Sequence, residues 1–220
     1  MQPLRILYPL VSADVALFCV EQDRLKVLLV QRAHDPAALA WALPGAILKP
    51  DEDADLHATA CRALHEKISV TVPHLAQVGA FSGAKRDPRG WSLSVLFYAL
   101  LPGDQVSAVV KSRVEALEWV DVGDPGRPLA FDHAELLGAA LEVLRGKVER
   151  HALPLHLLPT RFTLTALQRT CEAVLGRQLD KSVFRRRLKV SEDLVELPSE
   201  FVLGAQRPAQ LYRARDGFVF

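Results

Sequence analysis

The sequence predicts an α/β chain in two parts, an α+β sandwich over residues 1–150 followed by a smaller domain of helices and a hairpin over residues 151–220. Three observations carry this. Apolar β-type runs interleave with two amphipathic helical stretches in the first part, the pattern that builds layered α/β and α+β sandwiches. After His151 the order changes to helix, turn, helix, hairpin. The charge changes at the same point: residues 151–220 hold 11 Lys/Arg against 7 Asp/Glu, while the whole chain carries only +1. A near-neutral chain with one basic end points to a polyanion met by that end alone.

The elements of the first part follow from periodicity. Val15–Val20 and Leu25–Gln31 are apolar strands around Glu21-Gln-Asp-Arg24, a hairpin turn. Asp55–Lys67 has helical spacing, with Leu56, Ala60, Leu64 and Ile68 on one stripe. Ala76–Phe81, Ser92–Leu100 and Ala116–Val120 read as further strands. The loop Asp124-Pro-Gly-Arg-Pro128 then leads to a long amphipathic helix, His133–Arg150, with Leu136, Leu137, Ala140, Leu141 and Leu144 inward.

In the second part Pro154 and Pro159 bracket a short apolar piece, Leu155–Leu158. Thr163 can cap a helix over Leu164–Leu175, which Gly176 ends. Asp180 can cap a second helix that runs to about Val190 and carries Lys181, Ser182, Arg185, Arg186, Arg187 and Lys189. Leu194–Leu197 and Gln210–Arg215 are strands around a loop with Gly204, Arg207 and Pro208. That order is a winged helix-turn-helix. Phe184 and Leu188, at i and i+4, mark the buried stripe of the second helix. Its basic face then fits a DNA major groove, where Arg reads guanine edges and Lys meets phosphate. A solvated cationic helix is the blander alternative.

The half-apolar composition and 220-residue length support a sizeable core. Cys19, Cys61 and Cys171 lie far apart without metal-ligand spacing and read as buried thiols. No apolar run reaches the roughly 18 residues of a membrane span, and the N-terminal stretch is too short and too weakly charged for a signal peptide. A cytoplasmic protein with no membrane partner is expected.

The stretch Trp41-Ala-Leu-Pro-Gly45, then Pro50-Asp-Glu-Asp53 and the Arg62 helix, resembles the Nudix box, G-x5-E-x7-R-E-U-x-E-E-x-G-U. In that box, acids one helical turn apart bind divalent cations through oxygen. Here the match is degenerate. Ala46 falls at the box glycine and Glu52 at the first Glu, with nine residues rather than seven before Arg62. From the helix end, Ala63 stands at the first helix acid, Glu66 and Lys67 at the paired acids, and Ser69 at the last glycine. Only one of three helix acids remains, and an ammonium beside it repels a cation by about 1–4 kcal/mol. Asp51, Glu52, Asp53 and Asp55 read as a solvated acidic loop.

Arg86–Pro102 and Phe131–Arg145 also look like Nudix segments, and Leu157–Val190 with Arg207–Arg213 is similar to the winged helix of the Nudix-related transcriptional regulators of the NrtR type. The resemblance implies a DNA-binding regulator, a repressor of NAD-metabolism genes, that senses ADP-ribose or a related nucleotide without a required cofactor. It also implies a homodimer on double-stranded operator DNA. Arg86, Arg89, Lys67 and Trp41 become the expected ligand contacts, although a hairpin tip for the two arginines and a core position for Trp41 stay open. Lys181, Ser182, Arg185, Arg186, Lys189 and Arg207 become the expected DNA contacts. The alternative is a magnesium-dependent hydrolase of the ADP-ribose pyrophosphatase kind, its metal held by Glu66 and Glu52 and its C-terminal domain used for dimerisation.

Overall fold

A computed structural model describes residues 8–105, 114–150, 152–202 and 208–220. Its first strands, β1 (Leu10–Glu21) and β2 (Arg24–Arg32), form an antiparallel hairpin whose two turn residues, Gln22 and Asp23, both have positive φ (51° and 59°). Such turns match the twist of the flanking strands, which fixes the register. Two short strands follow, β3 (Trp41–Ala42) and β4 (Gly45–Ile47), too brief to leave a periodic signal. Then come α1 (Leu56–Ile68), β5 (His74–Gly83), β6 (Ser92–Leu100), β7 (Val114–Asp121) and α2 (His133–Glu149).

The sheet runs β3-β2-β1-β6-β5, with β4 also on β1 and β7 also on β2. The β1–β6 pair is parallel and the other pairs are antiparallel. Because β1 is central, it is buried on both faces and reads as a continuous apolar run. Ala13, Val15 and Leu17 share a cluster with Ala60, Leu64 and Ile68 of α1. The alternate residues Ala16 and Phe18 share the other cluster with Leu136, Leu137, Ala140 and Leu144 of α2. One helix therefore covers each face, as the period-2 alternation of a strand requires.

After a 3-10 turn, Leu155–Leu157, the second domain comprises β8 (Phe162–Thr163), α3 (Leu164–Leu175), α4 (Lys181–Leu188), β9 (Leu194–Val202) and β10 (Ala209–Ala214). Its sheet has the order β8-β10-β9. Thr163 caps α3 by accepting from Ala166 N at 3.1 Å, and Gly176 closes it at φ +68°. Asp180 caps α4 through Val183 N at 2.8 Å. Glu172 accepts from Leu179 N (2.9 Å) and Gln168 Nε2 (3.0 Å), which holds the turn between the two helices. The second helix ends at Leu188, two residues before the expected Val190, and β9 is longer than Leu194–Leu197.

The domains share one core. The cluster under α2 continues into Leu167, Cys171, Val174, Phe184, Leu188 and Phe220. Arg145 Nε of α2 donates to Val174 O at 3.0 Å, and Lys147 Nζ donates to Phe220 O at 3.0 Å. Among the thiols, Cys19 and Cys171 are buried, but Cys61 is exposed, because α1 turns it away from its apolar stripe toward His57. Among the described residues, no helix is long and apolar enough to cross a membrane.

Candidate ligand cavity and nucleic-acid interface

Between α1, the Arg86 loop and the start of α2 lies a cavity of about 420 Å³. Its floor is Asp14, a carboxylate inside the apolar β1 run that accepts from Ser94 Oγ at 2.5 Å. Gly45 makes room for it: a Cβ there would sit 1.9 Å from Asp14 Oδ1. His133 Nδ1 accepts from Leu43 N at 2.9 Å, so the ring proton is on Nε2, which stands 3.9 Å from Asp14 Oδ1. Burial lowers the His133 pKa, with Asp14 opposing, and the ring is a neutral donor at the cavity floor.

The wall is cationic. Arg32, Lys49, Arg62, Lys67, Arg86 and Arg89 line the cavity, against the carboxylates Asp14, Glu66, Asp87 and Asp132. Arg86 forks onto Asp132 at 2.8 and 2.9 Å and reaches Ser92 Oγ at 3.5 Å. Arg89 forks onto Asp87 at 3.0 and 2.7 Å, and this pairing holds the Asp87 pKa low. Arg32 lies over the Phe131 ring at 4.9 Å, and burial lowers its pKa. Both paired arginines are planar forks held in place by carboxylates, which take the forked edge and leave the guanidinium charge at the cavity wall.

The degenerate box is rebuilt around an acid that the alignment passes over. Asp53 is buried, not part of a solvated acidic loop, whereas Asp51, Glu52 and Asp55 are exposed. Arg62 Nε and Nη2 fork onto Asp53 at 2.7 Å each, and Arg62 Nη2 also donates to Ile47 O at 2.9 Å. Asp53 further accepts from Lys49 N and Thr59 Oγ1, and the Arg62 bonds above all hold its carboxyl well below the usual range. The Arg62 guanidinium is thus a half-buried tie between the loop and α1. Asp55 serves as the N-cap of α1. Ser69, at the last box glycine, is in the left-handed region (φ 55°) that a glycine would take more easily.

Magnesium does not fit this donor set. Asp53 is committed to Arg62, Ala63 is fully buried without a carboxylate, and Glu66 faces Arg62 (3.4 Å) and Lys49 (3.8 Å). Glu52 is exposed, pairs with Lys49 at 2.8 Å and is not a cavity residue. Among the described residues, no group of three His, Cys, Asp or Glu is placed to hold a metal ion.

Of the expected ligand contacts, Lys67, Arg86 and Arg89 line the cavity together with Arg62 and Glu66. Trp41 does not: it packs at the edge of the core under the Arg127 guanidinium, 4.6 Å from its ring. The core position left open for it is the one it takes. Asp14, Arg32, Phe131, Asp132 and His133 line the cavity without having been expected there. A carboxylate within the Val11–Val20 apolar run was the one available signal for Asp14.

In the second domain, Phe184 and Leu188 are buried, which turns Lys181, Ser182, Arg186 and Lys189 outward. Arg185 is half-buried and donates to Thr165 Oγ1 of α3 at 3.2 Å. Arg187 is also half-buried, over the Phe184 ring at 5.9 Å, and so lies off the outward face. Arg207 lies outside the described residues.

Known proteins place both halves. Residues 10–139 match the Nudix domain family, and residues 154–214 match the NrtR DNA-binding winged helix domain. The chain is 42% identical over 206 residues to an ADPR responsive transcriptional repressor, NtrR, of Acinetobacter baylyi, covering 93% of this chain and 82% of that protein. The structure of Shewanella oneidensis NrtR in complex with a 27mer DNA superimposes with a TM-score of 0.82 at 33% identity, over 93% of each chain. The Nudix domain of the same Shewanella protein, in complex with ADP ribose, matches with a TM-score of 0.60 at 34% identity, over 66% of this chain and 94% of that one. The chain belongs to the Nudix-related transcriptional regulators of the NrtR type.

Proposed function

We propose that this chain is an ADP-ribose-responsive transcriptional repressor, in which the Nudix domain binds the effector and the winged helix binds operator DNA. One observation carries the reading. The cavity keeps a cationic wall while its box acids, Asp53 and Glu66, face Arg62 and Lys49. Such a site attracts a diphosphate by its surplus of cations over carboxylates and has no cluster of carboxylates to load with metal. The similarity to the Acinetobacter repressor and to the DNA-bound and ADP-ribose-bound Shewanella structures supports the same assignment.

A homodimer on a near-palindromic operator suits a winged helix, since two-fold proteins read two-fold DNA. Genes of NAD metabolism are the targets that go with an ADP-ribose signal, and the cytoplasm is the compartment where such DNA is met. ADP-ribose releases DNA only by binding the DNA-free arrangement more tightly than the DNA-bound one.

The test is a thermal melt with ADP-ribose in EDTA. At a hundred times its Kd the ligand adds about 2.7 kcal/mol, and magnesium brings no cleavage of the diphosphate. Magnesium-dependent turnover that disappears in Glu66→Gln would replace this reading with that of a hydrolase.

A further inference from the structure

The outward face of α4 is not wholly polar. Val183, in the first turn, is 52% exposed and Val190, just past the helix end, is 82% exposed. At 100° per residue, Val183 and Arg186 stand at i and i+3 on a single stripe. That stripe lies opposite Phe184 and Leu188, which fill the core. Folding does not account for Val183. It buries little, and a β-branched residue is a weaker helix former than the straight-chain Lys181, Arg185 and Arg186 of the same helix. Its backbone is nevertheless fixed, because Asp180 Oδ1 accepts from Val183 N (2.8 Å) and also from Ser182 Oγ (2.6 Å). A rigid aliphatic group thus stands at the N-terminal end of a helix flanked by exposed Lys181, Arg186 and Lys189.

The cations select a polyanion as occupant, which disfavours an apolar protein surface. Within a DNA major groove the one aliphatic group that bases present is the thymine 5-methyl. The first residues of a recognition helix are those that reach base edges. We propose that Val183 is a sequence-specificity residue that packs on the 5-methyl of a thymine neighbouring the base read by Arg186. The assignment rests on the DNA-binding reading above and adds to it which base edge an uncharged residue recognises.

The test uses the full chain and a duplex that it selects from a randomised pool. Each thymine of that duplex is replaced in turn by deoxyuridine, which removes only the methyl group. In the wild-type protein one thymine position costs about fourfold in affinity, the loss expected for one unburied methyl. In Val183→Ala the same replacement has no effect, while the salt dependence of binding is unchanged. Val183→Ser gives the same loss of response, so the result does not hang on one variant. Uridine effects that are the same in all three proteins, or absent in the wild type, overturn the assignment. A pool that yields no salt-sensitive duplex overturns it as well, by removing the DNA-binding reading beneath it.

Discussion

Leu144→Ala probes the feature that joins the two halves of the molecule. Leu144 is fully buried in the cluster that runs from the Nudix sheet through α2 into the winged helix. The substitution removes three carbon atoms, about 2.4 kcal/mol at roughly 0.8 kcal/mol each. The space left behind adds to this, for a total of about 3–5 kcal/mol. In a chain of this size that lowers Tm by on the order of 10 °C. The assay is thermal unfolding followed by near-UV and far-UV circular dichroism. Because the core is shared, both probes shift together in one transition. A loss below about 1 kcal/mol, or a biphasic melt in which one domain keeps its wild-type midpoint, would mean that the two domains do not share this core.

Gly45→Ala places a methyl 1.9 Å from Asp14 Oδ1, which displaces the cavity floor; the ADP-ribose-induced rise in Tm should shrink far more than the Tm of the free protein. Ser69→Gly relieves a left-handed non-glycine residue and should stabilise by about 1 kcal/mol, with a destabilised variant counting against the helix end described here. The pH dependence has a definite sign. Burial, then His156 and Lys147, push His74 from its ordinary 6.5 down to about 4, where it also meets Tyr98 Oη at 3.1 Å. The unfolded chain takes up that proton first, so stability is full above about pH 6.5 and is lost as pH falls toward 4. Urea titrations across that window should show a flatter profile for His74→Gln, and an unaltered slope would contradict the half-buried placement.

Much of this was legible in the sequence because it follows from local periodicity. Leu164–Leu175 was readable to the residue, since Thr163 and Gly176 punctuate it chemically. The two short strands β3 and β4 were not, because two or three residues carry no period. At the site, the sequence marked the box and its missing acids but misassigned Asp53. Spacing along the chain placed Glu52 in register, whereas burial and the fork of Arg62 select its neighbour. Asp132 and Arg86 are 46 residues apart, so their pairing is set by how α2 meets the sheet. Trp41 shows the opposite limit: the family resemblance made it a ligand contact, and the core position that its own residues left open is the one packing selects.

The proposed repressor binds operator DNA through α4 and lets go when the cationic cavity fills. That release is read by fluorescence anisotropy of a labelled promoter duplex titrated with the full chain, with and without saturating ADP-ribose, in EDTA. The expected result is salt-sensitive binding that ADP-ribose weakens, and a DNA response that is lost in Arg86→Ala while DNA affinity without effector remains. Binding that ADP-ribose leaves unchanged, although the melt shows it bound, would contradict it.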